Sequence, residues 1–139
     1  MTSARPEEVA LEGNDGMAEW TTEQAALITA PQEVQVTTQR RDGSPRRPVT
    51  IWIVGDGARV FIRSTNGRTA SWFRAALATG AGQIVAGGRT SEVTFTEADP
   101  SDLPVVDTAY RQRYGRYASI VDHLVQDGPR EATLQVRPA

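Results

Sequence analysis

Apolar and polar residues alternate along the first half of the chain. Val34 and Val36 stand between polar neighbours, and Val49, Ile51 and Ile53 alternate with Thr50, Trp52 and Val54. A period of two puts successive side chains on opposite faces of a strand, so these runs predict two paired strands. The second carries apolar residues on both faces, which predicts a strand covered on both sides. Between them Asp42-Gly43-Ser44-Pro45 supplies a turn, and Gly55-Asp56-Gly57 supplies another before a third strand, Arg59 to Arg63. Two further strands, Gln83 to Ala86 and Ser91 to Thr96, flank Gly87-Gly88-Arg89-Thr90, and Ala132 to Val136 reads as a closing strand.

Three stretches change to helical spacing. A threonine cap in Thr21-Thr22, ahead of Glu23 or Gln24, opens a short helix over Ala25 to Ile28 that Pro31 ends. Trp20, just before it, is expected to staple the helix to the sheet. Thr69 or Ser71 is expected to cap a second helix, Trp72 to Ala78, ended by Gly80. After Pro100 and Asp102 comes a long helical segment. Its Tyr110, Tyr114 and Tyr117 share one face, Ile120, Val121 and Leu124 continue the stripe, Gly115 is a weak point, and Gly128-Pro129 is the stop. Six short strands interrupted by helices predict an α+β fold, a six-stranded antiparallel split β-barrel with helices packed outside it.

Length and composition narrow the function. The chain has 139 residues, enough for one domain with a core. Residues 1–18, with Glu7, Glu8, Glu12 and Asp15, are expected to be a mobile acidic tail or lid, and residues 19–139 the barrel domain. A net charge of -2 does not favour nucleic acid or a membrane surface. The absence of cysteine removes thiolate catalysis and disulfides and suits the cytoplasm, as does the lack of a membrane-length or secretory apolar run. Every basic residue is arginine, so lysine Schiff-base chemistry is excluded. His123 is the only histidine, and no metal-ligand cluster, nucleophile elbow, P-loop or dinucleotide glycine pattern is present. Any chemistry is therefore expected to come from a bound cofactor or from pocket shape.

Two stretches could hold an anion. Arg40, Arg41, Arg46 and Arg47 flank the first turn, either as a solvated hairpin tip or as a site for phosphate or carboxylate. Arg63-Ser64-Thr65-Asn66-Gly67-Arg68 combines hydroxyls, an amide, a glycine and two guanidiniums at a strand end, just before a helix N-terminus. It reads either as a cradle or as an ordinary loop. Trp72, Tyr110 and Tyr114 are candidate pocket walls and catalytic-site residues, with core packing the alternative role.

These residues resemble the split-barrel superfamily that includes pyridoxamine-phosphate-oxidase-like flavin proteins. The hairpin is similar to that of deazaflavin-dependent nitroreductases, whose Thr-Thr-x-Gly-Arg-Lys-Ser/Thr-Gly-x-Pro-Arg stands here as Thr37-Thr38-Gln39-Arg40-Arg41-Asp42-Gly43-Ser44-Pro45-Arg46. The family's small-Ser-Lys-Gly-Gly loop matches Ser64 to Arg68, and its Trp-Tyr-x-Asn-Leu helix matches Trp72 to Ala76. A group of short, functionally undescribed split-barrel proteins is closer still. Their W-x-R-A-A-x-A-T-G-x-G-x-I and D-x-A-Y-R-x-K-Y-G patterns stand here at Trp72 to Ile84 and Asp107 to Gly115, with Arg113 for lysine. The resemblance covers Trp20 to Pro138.

The resemblance implies an oxidoreductase or reductase of an organic substrate, with FMN or the deazaflavin coenzyme F-420 as cofactor and a pairing of two barrels into a homodimer. It implies cofactor contacts from Arg40, Arg41 and Arg46, from Ser64, Thr65, Asn66 and Gly67, and from Trp72, with Arg63 or Arg68 compensating for a family lysine that is Asn66 here. Gln39 replaces a family glycine and Asp42 a hydroxyl residue. Two other functions fit the same residues. One is a barrel with no cofactor whose pocket drives a cyclisation or rearrangement in natural-product biosynthesis. The other is a non-enzymatic small-molecule binder.

Overall fold

The computed structural model describes residues 18–139, so the acidic stretch before them, read as a tail, lies outside the described residues. Strands β1 (Glu33–Thr38), β2 (Val49–Asp56), β3 (Arg59–Arg63), β4 (Ala81–Ala86), β5 (Arg89–Glu97) and β6 (Thr133–Pro138) form a closed antiparallel barrel in the order β1-β2-β3-β6-β5-β4. Val34 pairs with Ile51 across β1 and β2, and Val36 with Ile84 closes the ring against β4. Closure satisfies both sides of every strand. Among the described residues five α-helices flank it: α1 (Thr22–Thr29), α2 (Ser71–Thr79), α3 (Leu103–Tyr114), α4 (Ala118–Leu124) and α5 (Asp127–Arg130).

The strand alternation sorts the apolar residues into two cores. Val34, Val36, Ile51, Ile53, Ile62 and Ile84 point inward. Val54 and Phe61 point outward, where Val106, Tyr110 and Tyr114 of α3 and Val121 and Leu124 of α4 cover them. Both faces of β2 are therefore covered around Ile53 and Val54, as its composition predicts, while Gly55 and Asp56 at its end are exposed.

Helix α1 has the capping box expected of Thr21, whose side chain accepts from the Gln24 amide while the Gln24 side chain binds back to Thr21. Trp20 is buried, and its indole N–H donates to the Val136 carbonyl at 2.8 Å. Helix α2 differs from expectation at its start. Its cap residue is Ala70, with no side-chain hydrogen bond, and Ser71 is the first helical residue. It flanks the barrel as expected, with Trp72, Phe73 and Ala76 turned to the core that the inward-facing strand residues form. An end of a small barrel must be plugged with apolar side chains, and this helix supplies them. Gly80 ends it in the left-handed conformation, as expected.

The long helical segment is broken rather than continuous. Gly115 follows α3, and the Tyr117 amide returns to the Tyr114 carbonyl at 2.9 Å. A side chain at Gly115 would sit 2.6 Å from the Arg111 carbonyl oxygen. Gly128 and Pro129, expected as a stop, instead lie inside the short α5. Proline is tolerated there because first-turn amides have no intrahelical partner.

Candidate functional site

The basic turn is tightly built. Gln39 bridges to Pro45, the Arg40 amide donates to the Ser44 carbonyl at 2.8 Å, and the Arg46 amide donates to Thr38 at 2.8 Å. Asp42 does not stand free among the arginines. One of its carboxylate oxygens accepts from the Ser44 hydroxyl at 2.6 Å and the Ser44 amide at 2.9 Å. Those two bonds, the hydroxyl first, hold its carboxyl below the usual aspartate range. Arg40 donates to the Pro45 carbonyl at 2.7 Å.

Arg40, Arg41 and Arg46 line a groove of about 420 Å³ between this turn and α2. The opposite wall carries Ser71 and Arg74, with Ala75 and Ala78. Arg41, Arg46 and Arg74 form no ion pair with any carboxylate among the described residues. Arg47 does not line the groove. Arg74 joins Arg40, Arg41 and Arg46 without standing out in the sequence pattern. Its place one turn after Ser71 on an exposed helical face was the available signal.

The strand-end segment is engaged differently. Arg63 is wholly buried, and its guanidinium forms an ion pair with Asp107 at 2.6 Å. It also donates to the Thr133 hydroxyl at 2.8 Å, the Leu124 carbonyl at 3.0 Å and the Leu103 carbonyl at 3.2 Å. Burial pulls its pKa down, opposed by Asp107. Arg68 pairs with Glu97 at 2.6 Å and donates to the Glu131 carbonyl at 2.8 Å. The protein itself thus supplies partners to both cations of this segment. Gly67 has a positive φ of 74° and packs on Gly128. Ser64 is buried, and its hydroxyl has no hydrogen-bond partner among the described residues. Asn66 is exposed. His123 donates from Nε2 to the Thr65 carbonyl at 2.7 Å, a structural role that its place in the sequence does not reveal.

A second cavity, of about 280 Å³, brings Arg63, Thr65 and Tyr110 together with Trp52, Ile120 and Leu124. Tyr110 is buried, and its hydroxyl donates to the Trp52 carbonyl at 3.2 Å. Tyr114 stacks on Trp52 with ring centroids 4.1 Å apart and planes 5° from parallel. Its hydroxyl lies 2.7 Å from the Gln32 carbonyl and 3.0 Å from the Ile53 carbonyl, and accepts the Ile53 amide at 3.3 Å. It thereby joins β2 to the segment just before β1. Burial pushes the pKa of both phenols upward, so both stay protonated at neutral pH and are poor proton shuttles.

The residues predicted as one site therefore divide. Arg40, Arg41 and Arg46 meet in the groove, and Arg63, Thr65 and Tyr110 meet in the cleft. Ser64, Asn66, Gly67, Arg68, Trp72 and Tyr114 line neither cavity. No group of three or more metal-ligating side chains occurs among the described residues, and none of their helices is long and apolar enough to cross a membrane.

Residues 24–136 match a family model described as an uncharacterized protein conserved in bacteria (DUF2255), and the chain belongs to that family. No curated protein matches it. Solved structures share the fold at low identity. One is an F420-H2 dependent reductase (FDR-A), 17% identical, with a TM-score of 0.59 over 76% of this chain and 94% of that one. Another is HutZ, the heme storage protein from Vibrio cholerae, 15% identical, with a TM-score of 0.58 over 84% of this chain and 88% of that one. A putative pyridoxamine 5'-phosphate oxidase from Listeria innocua is 12% identical, with a TM-score of 0.54 over 82% and 87%. These likenesses identify the split barrel.

Proposed function

We propose that the groove between the basic turn and α2 holds the phosphate of a flavin or deazaflavin cofactor, and that the protein is a reductase or oxidoreductase of a small organic substrate. One observation carries this reading. Arg41, Arg46 and Arg74 line one groove with no carboxylate partner among the described residues, along a nine-residue helix that lines it from Ser71 to Thr79. Guanidiniums so placed repel one another, and an anion with several acceptor oxygens relieves the repulsion while accepting paired hydrogen bonds. Asp42 keeps its negative charge but is turned to Ser44, which donates both its hydroxyl and its amide to one carboxylate oxygen.

Arg41, Arg46 and Arg74 would hold the phosphate, with Ser71 able to donate a further hydrogen bond. When bound, a cofactor of this class supplies hydride transfer. In this reading the chain's part is to bind and orient the cofactor and the substrate.

Titrating FMN and coenzyme F-420 separately into the purified protein, followed by absorbance, tests the proposal. One cofactor should bind saturably. The Arg46→Ala/Arg74→Ala variant should weaken it by about a hundredfold or more, since each charge-assisted contact contributes about 1.5–3 kcal/mol. Wild-type affinity in a folded double variant would refute the groove as the phosphate site. A second reading, a cofactor-free barrel acting on a substrate by shape, draws on the internal partners of Arg63 and Arg68. Failure to take up either cofactor would favour it.

A further inference from the structure

We infer that the cleft beside Trp52 is a second ligand site, and that it takes a flat organic acid with its carboxylate turned inward toward Arg63 and Thr65. Charge is the first ground. Arg63 and Arg130 share one carboxylate, that of Asp107, at 2.6 and 2.9 Å. The cluster carries one positive charge in excess, shared between Arg63, which is wholly buried, and Arg130, whose side chain is 29% exposed. A buried charge is costly unless it is paired, so an anion reaching this point gains more than it would at the surface.

Hydrogen bonding is the second ground. A guanidinium has five N–H donors. Nε of Arg63 donates to Thr133, Nη1 to Leu124 and Nη2 to Leu103, while the Nη1 contact with Asp107 Oδ1 is an ion pair outside hydrogen-bond geometry. One N–H of Nη2 is left without a partner among the described residues. The Thr65 hydroxyl, on the same cleft, also makes no hydrogen bond among them. Two donors thus remain for an acceptor group.

Shape is the third. Trp52, Ile120 and Leu124 supply apolar walls, and Ile120 is 45% exposed. Trp52 is braced from behind by its parallel stack on Tyr114. Two tyrosine hydroxyls tie that wall to backbone carbonyls, so the cleft is formed before a ligand arrives and little ordering cost falls on binding. A volume of about 280 Å³ lies at the small end of ligand pockets, the size of one or two fused rings. Glu33, on the same cleft, has no ion-pair partner among the described residues and repels an acid held the other way round.

The cleft and the basic groove share no lining residue, so the two sites stand or fall separately. The test is calorimetric titration of the full chain with 2-naphthoate and, as matched probes, 2-naphthylmethanol and 2-naphthylmethylamine. The acid should bind with one-to-one stoichiometry at least tenfold tighter than either probe. Thr65→Val should weaken the acid several-fold and leave the alcohol nearly unchanged. Ile120→Trp, at an exposed position that tolerates bulk, should fill the cleft and abolish binding. The inference is overturned if 2-naphthoate shows no saturable binding at millimolar concentration or if the amine binds as tightly as the acid. It is also overturned if folded Ile120→Trp keeps wild-type affinity.

Discussion

Asp107→Asn removes the one carboxylate that two guanidiniums share while nearly preserving its shape. Arg63 then stays buried with its charge unpaired, keeping only the Leu124 and Leu103 carbonyls and the Thr133 hydroxyl. Breaking a buried pair by deleting one partner costs about 3–5 kcal/mol. Asp107 is itself 22% exposed and Arg63 keeps three polar contacts, which places the cost at the lower end, about 3 kcal/mol. For a domain of this size each kcal/mol lowers Tm by roughly 4 °C, so calorimetry should show a fall of about 12 °C. Urea unfolding should show a lower midpoint at an unchanged slope. The decisive arm is the double variant Arg63→Met/Asp107→Leu. Removing both charges removes the desolvation cost with them, so the double variant should recover most of the loss. A single-variant cost under about 1 kcal/mol, or a double variant no more stable than Asp107→Asn, would show that the pair does not hold Arg63 in place.

Two further perturbations probe the frame around the cleft. Tyr114→Phe deletes a hydroxyl shared by Gln32 and Ile53 while leaving the stack on Trp52; it should cost about 1–3 kcal/mol and speed hydrogen exchange at the Ile53 amide, and unchanged exchange there would refute the bridge. At Gly82 an added Cβ would collide with the Thr37 carbonyl and lie 2.8 Å from the Phe95 ring, so Gly82→Ala should separate β1 from β4 and cost about 3 kcal/mol or more; a Tm within about 2 °C of wild type would refute the close approach.

Much of the frame was legible in the residues alone. The alternation in Val34 to Val36 and Val49 to Val54, the capping box at Thr21, the Gly80 stop and the Gly87-Gly88 turn are each written within a few neighbouring positions. The structure places strands, a helix start, a helix end and a hairpin there. Period and turn chemistry depend on local sterics and short-range hydrogen bonds, so a short window suffices to read them. The break after Tyr114 was half legible, since Gly115 marks a weak point but does not say whether a helix will continue through it.

The partners of the charges were not legible. Arg63 and Arg46 are the same residue type beside similar turns, yet one is buried against Asp107 and the other faces a groove shared with Arg74. Likewise Trp72, which reads as a pocket wall, packs with the inward-facing core, while Trp52, which reads as a strand position, belongs to the outer cluster. The order β1-β2-β3-β6-β5-β4 decides these outcomes, because it brings β3 beside β6 and places α3 and α4 over the outer face. Local sequence sets which way a side chain points from its own backbone. What it meets there depends on segments far along the chain, which only barrel closure brings into reach.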